Sequence, residues 1–191
     1  MSLTRQIFKE NAERFYGEMN SMAESQGTVF FGTDLFARLP FGELVQSFHM
    51  KERVYNRSVE NMNICDAAGL LQVCVLDLKP AKVFLHLGDT DIRAADFDLD
   101  AFIAQYEWIL YTLHTQSKAT AFVVSLISDD LRAQAVNQRL KKLAAESGTS
   151  FVDITSARSL EKPDLHVFDM MKYYIRSHPM SFCDAMEFVA L

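Results

Sequence analysis

The chain has 191 residues, of which 49% are hydrophobic, and carries a formal net charge of −6 with a pI near 5.3. That is enough apolar material for one sizeable core, so the expectation is a single domain over residues 1–191. The acidic balance argues against a nucleic-acid partner, which needs clustered Lys and Arg, and no apolar run approaches the roughly 18 residues of a membrane span.

The first segment, residues 4–25, places Ile7, Phe8, Phe15, Met19 and Met22 at helical spacing, and Gln26-Gly27 ends it. A strand follows over Thr28–Phe31, then a short helix over Phe41–Phe48 and a second strand over Arg53–Tyr55. Met62–Val75 returns to helical spacing through Ile64, Cys65, Ala68, Leu71 and Val75. Pro80 precedes a buried strand, Val83–Leu87, closed by Gly88. Leu99–Leu113 repeats Phe102, Ile103, Tyr106, Ile109, Leu110 and Leu113 at three and four, with Trp108 and the helix aromatics read as core. Ala121–Ile127 is an uninterrupted apolar strand of the kind found in a sheet covered on both faces. Ser128, Asp129 and Asp130 offer caps for a helix over Leu131–Ala145, Gly148 stops it, and Phe151–Ile154 is a fifth strand. Helices are expected over Phe168–Tyr174 and Ser181–Phe188.

Helix and strand thus alternate five times. The fold class that follows is α/β: a three-layer, flavodoxin-like arrangement with a five-stranded parallel sheet and helices on both faces. Ligands in such folds bind beyond the carboxyl ends of the strands. That rule selects Gly32–Asp34, Asn56–Asn61, Gly88–Asp91 and the loop after Ile154.

The polar residues there also have plain structural readings. Asp34 reads as the N-cap of a following helix, Asp91 as a tie within its own loop, and Thr90 as a loop closure. Thr33 would be a nucleophile only if the turn slipped by one residue. His86 lies inside a strand and His114 near a helix end, which makes both structural, and His49 and His166 have no supporting spacing. Cys65, Cys74 and Cys183 are an odd number without CxxC spacing, so they read as reduced packing thiols. Together with a polar, charged N-terminal stretch they place the protein in the cytoplasm.

Four blocks carry a resemblance: VFFGTD at Val29–Asp34, NRSVEN at Asn56–Asn61, KPAKVFLHLGDTD at Lys79–Asp91, and AVNQRLKKLA at Ala135–Ala144 before FVDI. In this order they resemble the SGNH (GDSL) acyl-hydrolase superfamily, and within it the platelet-activating-factor-acetylhydrolase-like branch, which also begins with a helix. The resemblance implies a serine nucleophile at the first block, an oxyanion hole from a Gly N–H in the second and an Asn in the third, and a late Asp-x-x-His. A hydroxyl attacks only when a base takes its proton and fixed donors receive the developing charge.

Here Asp34 stands at the serine position and Thr33 at the acid that precedes it in the family pattern. Asn61 takes the Gly position, Ser58 an earlier Gly, and Thr90 the Asn. The late block, YYIRSHPMSF, offers His178 as the base, but Ile175 stands three before it. A slip of three would instead put Lys172 and Ile175 at the Asp and His positions. The resemblance therefore implies a site of Asp34 and His178 with Thr33, Ser58, Asn61 and Thr90 around it, and impaired or absent ester chemistry. The expected ligand is a small molecule, an acyl ester or a carbohydrate, bound by a binding or regulatory module without cofactor or metal, and a homo-oligomer stays open. The alternatives are an active esterase with a rearranged site, or a phosphoesterase holding a cation on Asp34, Asp89 and Asp91.

Overall fold

The computed structural model describes residues 3–159 and 163–176. Five parallel strands form one sheet: β1 (Thr28–Gly32), β2 (Val54–Asn56), β3 (Lys82–His86), β4 (Thr120–Val124) and β5 (Ser150–Val152). Their order is β2-β1-β3-β4-β5, the doubly wound order in which the chain changes direction between β1 and β3. The helices are α1 (Leu3–Asn20) before the first strand, α2 (Asp34–Arg38), α3 (Phe41–Ser47), α4 (Ile64–Cys74), α5 (Leu99–Gln116) and α6 (Leu131–Glu146) between strands, and α7 (Pro163–Ile175) after the last.

Strand alternation sorts the apolar residues into two cores. Val29, Phe31, Val83, Leu85, Ala121 and Val123 face the layer of α1, α4, α5 and α6. The residues between them, Phe30, Phe84 and Phe122, face α2, α3 and α7. Every residue of β1 is buried, as a central parallel strand covered on both faces requires. The three-layer α/β expectation is met in class, strand number and direction.

Local sequence sets the element ends. Asn63 and Asp66 form a reciprocal capping box at the start of α4, and Asp98 and Asp130 accept backbone N–H bonds at the starts of α5 and α6. The structure ends the first helix at Asn20, five residues short of the expected end, and adds α2, which is too short for periodicity to reveal. Trp108 corrects the reading of its helix. It is 48% exposed and Tyr111 is 66% exposed, while Phe102 and Tyr106 of the same helix are buried. Cys74 packs inside as expected, but Cys65 is exposed on α4. The expected helix Ser181–Phe188, His178 and Cys183 lie outside the described residues.

Candidate functional site

The direction change between β1 and β3 puts two strand ends side by side, with Gly32 opposite His86 in register. The strands approach so closely there that a Cβ on Gly32 would sit 2.5 Å from the His86 carbonyl oxygen. Only glycine fits. The next N–H, that of Thr33, donates to the same carbonyl at 3.1 Å, which fixes the turn out of the strand.

The Thr33 side chain is fully buried, with its hydroxyl 3.2 Å from an Asp34 carboxylate oxygen and 3.2 Å from the Thr90 hydroxyl. Asp34 does not cap α2; it is the first residue of that helix, and Thr33 at the cap makes no capping side-chain bond. Its carboxylate looks outward instead. Oδ1 accepts the Asn61 N–H at 2.7 Å and the Thr33 hydroxyl, while Oδ2 accepts from the Arg93 guanidinium at 2.6 Å. Asn61 presents that N–H from a left-handed backbone, φ 57°, a conformation that glycine adopts freely and asparagine tolerates. Arg93 also lies 3.4 Å from the Thr90 hydroxyl, so Thr33, Asp34, Asn61, Thr90 and Arg93 form one network.

Partial burial pushes the Asp34 carboxyl up, but the Asn61 N–H, Arg93 and the Thr33 hydroxyl outweigh it and hold the group below its ordinary value of 3.8. A depressed carboxylate stabilises the fold above the unfolded value and loses that contribution as pH falls through the folded one. Urea midpoints are therefore expected to drop on acidification below about pH 4. The drop should be shallower in Asp34→Asn, and equal slopes would show that the network does not hold the charge.

The remaining candidates separate from this network. The Ser58 hydroxyl donates to the Phe30 carbonyl, its own carbonyl accepts from the Tyr16 hydroxyl, and Asn56 bonds the Phe36 carbonyl and the Ser58 N–H. That block fastens β2 to its neighbours. Asp91 accepts the Ile64 N–H at the start of α4, so it also ties its loop to that helix. Asp89 lies beside His86. Asp34, Asp89 and Asp91 thus have three different sets of partners, and among the described residues no cluster of His, Cys, Asp or Glu suits a metal ion.

A cleft of about 350 Å³ opens beside the network, bounded among others by Asp34, Arg38, His86, Asp89, Arg93 and Ser128. His86 was expected to be structural; the structure puts it in the wall of this cleft. Its ring is fully buried, with Nδ1 3.4 Å from an Asp89 carboxylate oxygen, yet neither ring nitrogen makes an aligned hydrogen bond. Sequence reasoning also missed Arg38 and Arg93. For His86 the available signal was an acid three residues on; for the two arginines the spacing offered none.

No protein-family model matches this sequence, and no curated protein matches it. Solved structures do. A GDSL-like lipase from Bacteroides thetaiotaomicron VPI-5482 superposes with a TM-score of 0.71 at 14% identity, over 96% of this chain and 100% of that one. A protein from Streptococcus pneumonia named for platelet activating factor gives 0.75 at 15% identity, over 88% of this chain and 92% of that one. A catalytic mutant of an acetylxylan esterase from Geobacillus stearothermophilus, with a serine replaced by alanine, gives 0.64 at 14% identity over 81% and 99%. Strand order, the two helix layers and these superpositions agree: the chain has the fold of the SGNH, or GDSL, acyl hydrolases.

Proposed function

We propose that the protein is a small-ligand-binding or regulatory module built on the SGNH hydrolase fold, without its ester chemistry. The observation that supports this most is the state of Asp34. Its carboxylate occupies the turn after β1 and takes up the Asn61 N–H and the Arg93 guanidinium, the donors that could otherwise receive a developing negative charge. A carboxylate held below its ordinary pKa is a weak base, and the neighbouring Thr33 hydroxyl is buried. The similar structures named as a lipase and an acetylxylan esterase suggest an acyl ester or a carbohydrate as ligand. Exposed, unpaired Cys65 suits a reducing, cytoplasmic setting.

A second reading, an esterase with a rearranged site, has one observation in its favour: a histidine and an acid placed together at the cleft. One assay separates the two. Short p-nitrophenyl esters, followed over a range of pH, are expected to hydrolyse at the buffer rate. Turnover well above background that disappears in Asp34→Ala, His86→Ala or His178→Ala would overturn the binding reading.

A further inference from the structure

We propose that the cleft beside Asp34 takes a short-chain carboxylate carrying a second oxygen, a hydroxy or oxo acid. Its carboxylate lies on Arg38, its carbons against Leu35, Ile92, Ile127 and Val167, and its second oxygen on the His86 imidazole. This rests on the cleft being a binding site rather than a catalytic one.

The sign of the ligand comes from Arg38. Asp34 and Arg93 pair at 2.6 Å, and Asp89 lies 3.4 Å from the His86 Nδ1. Arg38 is left as a cation with no bonded or ionic partner among the described residues. A guanidinium without a partner suits an anion, and its planar fork matches a carboxylate. A phosphate dianion would meet the Asp34 and Asp89 carboxylates in the same space.

The second oxygen comes from His86. A buried polar group without a hydrogen bond is unfavourable, and both nitrogens of this ring are in that state. Native proteins retain such a group when something else completes it. Four aliphatic residues also line the cleft and suit a few carbons, and the volume, about 350 Å³, limits the body to a small one.

The test is calorimetric titration of the full-length protein with butyrate, 3-hydroxybutyrate and inorganic phosphate at one pH and salt concentration. 3-Hydroxybutyrate is expected to bind about 10-fold more tightly than butyrate, because only it hydrogen-bonds His86. Arg38→Gln should weaken both acids by about 10-fold. His86→Phe should remove the difference between them while keeping butyrate binding. Equal affinity of the two acids for the unmodified protein, or tighter binding of phosphate than of either, would overturn the proposal, and neither result needs the His86 variant to fold. If no acid binds while p-nitrophenyl esters still hydrolyse only at the buffer rate, this inference falls and the binding reading stands. Ester turnover above background removes the binding reading itself.

Discussion

Phe84→Ala is expected to destabilise the protein by about 4 kcal/mol, the range for emptying a buried aromatic site. The unfolding midpoint should fall by roughly 8–16 °C for a chain of this size. Phe84 lies in the middle of a three-strand aromatic ladder. Its ring stacks on Phe30 at 4.6 Å and 9°, and on Phe122 at 4.6 Å and 14°. All three are register partners on β1, β3 and β4, and Phe84 is 0% exposed. The rings on either side are held in the stack by their own strands, so the space is expected to close only in part. The same face of β3 carries His86 two residues on, so the ladder is also the base on which the cleft wall rests. Urea denaturation followed by circular dichroism measures the loss, with Phe15→Ala as control because Phe15 is 56% exposed. A loss for Phe84→Ala below about 1 kcal/mol would mean that the ladder carries little of the core.

The layers of this fold were legible because strand and helix leave different marks. Ala121–Val124 is apolar without interruption, while Phe102, Tyr106, Ile109 and Leu113 recur at three and four. The same arithmetic leaves Trp108 off the buried stripe, although its size invited a core reading. The five residues of α2 gave no period to read. At the site, Thr33, Asp34, Asn61 and Thr90 were found from their positions at strand ends and turns, which local sequence does mark. Arg93 was not, because a long side chain reaching a carboxylate 59 positions away follows the tertiary path and not the spacing. His86 was hidden by its neighbours. Between Phe84 and Leu87 it looks like strand filler, and only the register with Gly32 shows that it ends the strand beside the turn.

Asp34→Ala tests the feature that separates this site from one that could receive an oxyanion. Removing the carboxylate leaves the Asn61 N–H, the Thr33 hydroxyl and Arg93 without their shared acceptor. Hydrogen bonds to a charged group each contribute about 1.5–3 kcal/mol, but Arg93 is 57% exposed and water recovers much of its share. The expected loss is about 2 kcal/mol, or a midpoint lower by roughly 4–8 °C. The vacated space has the size and donors for a carboxylate from solution. Acetate should therefore restore part of the lost stability in Asp34→Ala and raise its midpoint by more than that of the unmodified protein, whereas chloride at equal ionic strength should restore none. Asp34→Asn retains an acceptor for the Asn61 N–H and should lose less than Asp34→Ala. If Asp34→Ala melted like the unmodified protein and ignored acetate, the carboxylate would not be what satisfies these donors. The strand-end turn could then receive a substrate's negative charge, and the reason for reading this chain as a module without ester chemistry would be gone.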